Sequence, residues 1–188
     1  TRIMNIDFTT SINGQPLLAV FVTPEDQDEV LSNSVFQEGA GQWLKDADFK
    51  AKAGEIKLFP SIALRDSGEV TAVAIIGLGD NDSDSLCRAA GAAGDHAKKK
   101  GLSGVTFYNS SNVQNTVLHC LVGNYRFDQY KTEKKDSLST VSFNCSEDQD
   151  AATRGLALAK ARNFARDLVN APAADIYPES LAEIAQGL

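Results

Sequence analysis

At 188 residues and 20.1 kDa, with 43% hydrophobic and 23% charged residues, the chain has the length of one domain with a short appendage and falls outside the disordered, collagen-like and coiled-coil classes. Eighteen Lys and Arg against 25 Asp and Glu give a formal net charge of −7 and a pI near 4.8, the wrong sign for a surface that neutralises phosphates, so nucleic-acid binding is disfavoured. The longest apolar run, Leu17 to Val22, is far shorter than the roughly 18 residues of a bilayer span and has no small-residue cleavage pattern behind it, which argues against a membrane span and a secretory leader and places the expected location in the cytosol.

Runs of strand length rich in β-branched and aromatic residues alternate with longer segments of helical period, the pattern of an α/β domain with helices on a largely parallel sheet. In chain order, Ile3 to Thr9 and Leu17 to Val22 read as strands, and a helix follows from about Phe36 to Ala47. Strands are expected next at Ile56 to Leu64 and Val70 to Leu78. The second of these is the most continuously apolar, as a strand covered on both faces should be. A helix over Ser83 to Lys100 ends on three lysines and Gly101, cations and a glycine cap that suit a helix C-terminus. A strand at Gly104 to Tyr108 and a helix at Val113 to Gly123 precede a polar stretch from Thr132 to Thr140, read as a mobile surface loop. The sixth strand is Thr140 to Asn144. A long helix from about Glu147 to Val169 should lie along the sheet through Leu158, Ala161, Ala165 and Leu168. The prolines of Ala171 to Pro178 break it, and Pro178 opens a last helix striped by Leu181, Ile184 and Leu188, too short to be stable unless that stripe is covered. The expectation is a three-layer α/β sandwich with a mixed, mostly parallel sheet of about six strands. Residues 1–170 would form the domain, and 171–188 a connector and the start of a helix.

Chemistry is harder to find. Gly77-Leu-Gly-Asp-Asn-Asp82 joins the apolar strand to a helix where phosphate loops often sit, but Asp80, Asp82 and Asp84 put carboxylates where phosphate oxygens would lie. Capping of the next helix explains those carboxylates fully. The same three residues open like a calcium loop, yet Ser85 and Gly91 stand where the turn glycine and the bidentate glutamate belong. His96 and His119 lack metal-ligand spacing. No Ser sits in a nucleophile elbow, and Cys87, Cys120 and Cys145 contain no C-x-x-C pair and read as reduced, buried thiols. No residue is assigned a catalytic, metal-binding or substrate-binding role.

From Tyr125 onward the sequence resembles the M17 leucyl aminopeptidases, also called cytosol aminopeptidases. Tyr125-Arg-Phe-Asp-Gln-Tyr-Lys-Thr132 is similar to an aromatic-x-Phe-Asp-x-x-Lys-Thr segment of that family. Gly155-Leu-Ala-Leu-Ala159, Ala165-Arg-Asp-Leu-Val-Asn-Ala-Pro172 and Tyr177-Pro-Glu-Ser-Leu-Ala182 resemble its long helix, Asn-x-Pro connector and next helix, and Gly77-Leu-Gly79 fits the end of its central strand. Tyr177 stands where the family commonly has threonine, removing a hydroxyl N-cap.

The resemblance implies a macro-domain-like N-terminal domain of an enzyme that releases N-terminal amino acids from peptides as a homohexamer. It also implies two divalent ions, zinc or manganese, held by a lysine, aspartates and a glutamate in motifs of a later catalytic domain. Neither the Gly-Lys-Gly motif nor the Asn-Thr-Asp-Ala-Glu-Gly-Arg motif of that domain occurs in this sequence. The expected partners are therefore other copies of the protein and its own C-terminal catalytic domain, with no cofactor held by these residues. The alternatives are a free-standing macro-type module for ADP-ribose or a related nucleotide, and a scaffold that pairs through its last helix.

Overall fold

Alternate residues of the apolar strands face opposite ways, so a strand that is apolar at every position needs cover on both sides. The computed structural model describes residues 4–11, 16–32, 36, 40–60, 72–108, 110–133 and 138–188, and it provides that cover. The strands are β1 (Asn5–Phe8), β2 (Leu18–Val22), β3 (Ile56–Pro60), β4 (Ala72–Gly77), β5 (Gly104–Tyr108) and β6 (Thr140–Asn144). They form one sheet in the order β1-β6-β5-β2-β4-β3, parallel throughout except where edge strand β3 runs antiparallel to β4. Helices α1 (Gln27–Leu31) and α2 (Ala40–Asp46) lie between β2 and β3 in sequence. Helices α3 (Ser83–Lys100), α4 (Val113–Gly123), α5 (Gln149–Asn170) and α6 (Pro178–Gln186) follow β4, β5, β6 and the connector.

Two separate cores result. Leu18, Val20 and Val22 of β2 join Val73 and Ile75 of β4 with Leu31, Phe36 and Leu44 on one face. Leu17, Ala19 and Phe21 join Ala74 and Ile76 with the alanines of α3 and residues of α4 and α5 on the other. This is the expected three-layer α/β sandwich.

The face covered by α3 and α4 also carries a row of phenylalanines, one from each of four neighbouring strands. Phe21 and Phe107 rings lie 5.4 Å apart, Phe107 and Phe143 5.6 Å, and Phe143 and Phe8 5.7 Å. Strand register creates the row, since Phe143 is paired with Phe107 on one side and Phe8 on the other.

Glycines set how closely the helices approach. A Cβ on Gly94 would stand 1.9 Å from the Cys120 carbonyl oxygen, and one on Gly123 would stand 2.2 Å from the Gly91 oxygen, so α3 and α4 pack almost backbone to backbone. Gly155 repeats the device between α5 and α4, where a Cβ would stand 2.5 Å from the Gln114 oxygen.

Several expectations shift. Residues 61–64 and 70–71, Ile3, and part of the polar stretch before β6 lie outside the described residues. Of the helix expected from Phe36 to Ala47, the described part is Ala40–Asp46, residues 37–39 lie outside the described residues, and Phe36 forms an isolated bridge. The five-residue α1 has no counterpart in the sequence pattern. It is started by reciprocal bonds in which Thr23 N–H donates to the Asp26 carboxylate and Asp26 N–H to the Thr23 hydroxyl, too short a segment for periodicity to report.

The larger correction concerns α5. It packs chiefly on α4, not along the sheet, and buries Ala151, Ala152, Gly155 and Ala159. Ala161 and Ala165 are exposed, Leu168 is only half-buried, and Leu158 is 48% exposed. Close approach to α4 favours the small residues, so the larger apolar stripe faces outward.

Candidate functional site

Three places in the fold bring chemistry-bearing groups together. The first is the carboxyl end of the sheet, where α/β proteins bind ligands at the point where the chain connections diverge, here between β2 and β5. The glycine-rich turn beside it has its donors already engaged. Gly77 N–H donates to Glu55 O at 2.8 Å, Leu78 N–H to Val22 O at 2.7 Å, Gly79 N–H to Ala51 O at 2.8 Å and Asn81 N–H to Leu78 O at 3.0 Å. A phosphate cradle needs such N–H groups free. The 51–55 segment fills the space as well, since a Cβ on Gly77 would lie 2.3 Å from Lys52 O. Next to it, Phe36 is 2% exposed and sets its ring edge-on to Tyr108 at 6.5 Å. Among the described residues, the space beside Gly77 and beside Tyr108 is thus taken up by protein.

The three aspartates of the turn lie at the start of α3, where the sequence assigns them a capping role. Asp82 is the N-cap of α3 and accepts from Ser85 N–H at 2.7 Å, while Asp84 pairs with Arg88 at 2.6 Å. The bonds from the Ser85 N–H and hydroxyl hold the Asp82 carboxyl below the usual carboxylate range. A carboxyl whose folded value is lowered stabilises the fold above its unfolded value and loses that contribution as pH falls through the folded value. Asp82→Asn keeps an acceptor oxygen but loses the charge. The Tm of the parent chain minus that of this variant should therefore be smallest in strong acid, where the carboxyl is protonated in both states, and should grow as pH rises to a plateau above the ordinary carboxylate value of 3.8. A flat difference across that range would contradict the assignment.

The second place is a pair that no spacing in the sequence reveals. Cys87 on α3 and His119 on α4 are 32 residues apart, and the glycine-paved crossing brings Cys87 Sγ to 2.9 Å from His119 Nε2. The distance resembles that of a nucleophile and its base. The electrostatics oppose that role, because burial, and next the Asp84 carboxylate, push the Cys87 thiol up. Burial, and next the Arg162 guanidinium, lower the His119 imidazole. Both shifts favour a neutral thiol donating to a neutral ring, the reverse of the thiolate–imidazolium pair that attacks carbonyls. At about pH 7.5, Cys87 should react with iodoacetamide no faster than about one tenth the rate of an unhindered thiol, and His119→Ala should change that rate less than about threefold. A fast reaction abolished by His119→Ala would reveal a working dyad. Cys120, the neighbour of His119, is fully buried with its thiol pushed up to about 12, and Cys145 is half-buried, so only one of the three thiols matches the buried state expected of all of them.

The third place is the segment Tyr125 to Lys131. Tyr125 Oη donates to Asp167 Oδ1 at 2.7 Å and accepts from Asn170 Nδ2 at 3.1 Å, while the Arg166 guanidinium lies 4.8 Å over its ring. Tyr130 Oη donates to Asp175 Oδ2 in the connector, Arg126 to the Lys98 carbonyl, and Arg166 to Val122 O at 2.9 Å. These bonds fasten the end of α5 and the connector to the domain. They position the chain and hold no reactive group.

His96 belongs to α3, and burial lowers its imidazole. Among the described residues there is no group of three or more His, Cys, Asp or Glu that could hold a metal ion. The donor set therefore does not fit the two-ion centre that the sequence resemblance implies for the whole enzyme, and no hydrolytic step is derived from these residues.

The fold is a mostly parallel α/β sandwich, and the comparisons with known proteins narrow its class. Residues 19–134 match the N-terminal domain of the cytosol aminopeptidase family, and the chain belongs to that family. A probable cytosol aminopeptidase of Corynebacterium diphtheriae is 36% identical over 146 residues, covering 71% of this chain and 28% of the relative. Another, of Exiguobacterium sibiricum, is 28% identical over 178 residues, covering 90% of this chain and 36% of the relative. Among solved structures, a tomato leucine aminopeptidase mutant superposes with a TM-score of 0.76 at 18% identity, covering 98% of this chain and 41% of that one. The bottromycin maturation enzyme BotP in complex with Mn gives a TM-score of 0.70 at 21% identity, over 93% and 36%. The chain thus spans about a third of the length of these relatives.

Proposed function

We propose that this polypeptide is the non-catalytic N-terminal domain of a longer, metal-dependent leucyl aminopeptidase. The observation that carries the reading is the match to an N-terminal domain over 19–134. In this reading the parent enzyme releases N-terminal amino acids from peptides in the cytoplasm. Its two divalent ions, zinc or manganese, would be held by residues of a C-terminal domain, and when bound they would supply Lewis-acid chemistry for the scissile carbonyl and the attacking water. Residues 1–170 form a macro-domain-like body and 171–188 lead toward that domain. The body's task is assembly, helping to build a homohexamer and to shape access to active sites elsewhere.

The engaged N–H groups of the Gly77 to Asn81 turn and the filled space beside Gly77 support this reading over a free-standing nucleotide module. Calorimetry with ADP-ribose should accordingly give no binding heat, and micromolar binding would revive the module. The direct test is the product of the intact gene. It should be roughly three times as long as this chain, as the 36% coverage of the Exiguobacterium relative suggests, and should cleave a leucine anilide only with zinc or manganese. A gene product of this length alone, or a longer one without aminopeptidase activity, would overturn the proposal.

A further inference from the structure

The Cys87–His119 pair serves no step of the function proposed above, yet it gathers a soft and a borderline donor on two helices that cannot drift apart. Cys87 Sγ on α3 stands 2.9 Å from His119 Nε2 on α4, and both residues are half-buried, so solvent reaches the contact. The near backbone-to-backbone crossing at Gly94 and Gly123 holds the two helices in place. With the thiol as donor, Nε2 turns its lone pair to the sulfur and the ring proton sits on Nδ1. The thiol proton therefore marks a point on which sulfur and nitrogen lone pairs converge, the arrangement that a cation with affinity for both elements requires.

Size and charge suit a divalent ion of the zinc class. Zinc bonds thiolate sulfur at about 2.3 Å and imidazole nitrogen at about 2.0–2.1 Å, which at a tetrahedral angle sets the two donors about 3.6 Å apart. The pair has to open by about 0.7 Å from its proton-bridged separation of 2.9 Å, which small side-chain rotations at half-buried positions supply. Asp84 lies one turn before Cys87 on α3, where residues three apart are neighbours, and offers a carboxylate oxygen as a third ligand. Its partner in this structure is Arg88, in an ion pair whose side chains are 66% and 70% exposed, a contact readily given up. Water fills the fourth position. On binding, the Cys87 thiol proton passes to solvent and a sulfur–metal bond replaces the S–H bond, so that thiolate and carboxylate balance the two charges of the ion. Of the other charges that act on the pair, Asp82 at the start of α3 attracts the ion, while Arg162 on α5 favours the thiolate and repels the ion.

We propose that Cys87, His119 and Asp84 form a binding site for one zinc-class divalent ion that ties α3 to α4. Cobalt(II), which takes zinc's place and absorbs light, tests it on the reduced 188-residue chain. At about pH 7.5 cobalt should give a saturable thiolate-to-cobalt charge-transfer absorption in the near ultraviolet, with a proton released, and zinc should displace it. Cys87→Ser should abolish the absorption, and His119→Ala and Asp84→Asn should each weaken cobalt binding by about tenfold or more. Cys145→Ser, in a thiol outside the pair, should leave it unchanged. Zinc should also raise the Tm of the parent chain and not that of Cys87→Ser. The absence of the absorption in the parent chain at up to about 1 mM cobalt would overturn the proposal without recourse to any variant. Absorption that survives in Cys87→Ser, or that is lost in Cys145→Ser, would overturn it as well. An unchanged affinity in Asp84→Asn would overturn the three-ligand site.

Discussion

Gly94→Ala should destabilise the chain by about 3 kcal/mol, while Gly91→Ala, one turn away on the same helix, should stabilise it by up to about 1 kcal/mol. Helix propensity alone favours alanine at both sites, because glycine loses more backbone entropy on folding. Space decides the sign. A Cβ on Gly94 would overlap the Cys120 backbone at 1.9 Å and 2.8 Å, a carbonyl fixed in α4 that cannot rotate away. A Cβ on Gly91 meets only the His119 oxygen at 3.9 Å, an ordinary contact. To accept the methyl group of Gly94→Ala, α3 and α4 would have to separate, loosening Ala90, Ala93 and Ala97 on α3 and Cys120 and Leu121 on α4. Urea unfolding of both variants checks this, and a shift in the same direction for both would show that propensity dominates over the helix crossing.

Phe107→Ala should be costlier still, at about 4 kcal/mol. Phe107 is fully buried in the middle of the phenylalanine row, so truncation removes a large transfer free energy and leaves a cavity between Phe21 and Phe143. Neither neighbour can fill it without leaving its own strand position. Phe8→Ala at the edge should cost clearly less, since Phe8 is only half-buried on the last strand of the sheet. Phe107→Leu should recover more than half of the loss by refilling most of the volume. Thermal unfolding of the three variants ranks them, and a larger loss for Phe8→Ala would contradict the placement of the core.

What the sequence discloses and what it hides divide along the range of the interactions. Strands β5 and β6 and helices α3 and α4 begin and end where the residues indicate, because their signals are local: Asp82 as a cap, Gly101 in the left-handed conformation at φ 66°, and runs of β-branched residues. The buried face of α5 is misread from the sequence because period identifies an apolar stripe but not which stripe a neighbour takes. Gly155 and Ala159 are buried, with Gly155 set against α4 for reasons of backbone clearance, which no hydrophobicity pattern records. The same limit hides the Cys87–His119 contact, which exists only because glycines bring two helices together. The phenylalanine row needs the register of four strands and is invisible until they pair. The connector, by contrast, is legible down to Pro172 and Pro178, since proline acts on its immediate predecessor.

In the proposed function these residues hold no peptide-cleaving centre, and a leucine anilide assay of the purified 188-residue chain with added zinc or manganese measures this most directly. The prediction is hydrolysis no faster than buffer with the same metal at every concentration of protein. Saturable, metal-dependent release that survives repurification and scales with the amount of this chain would contradict it.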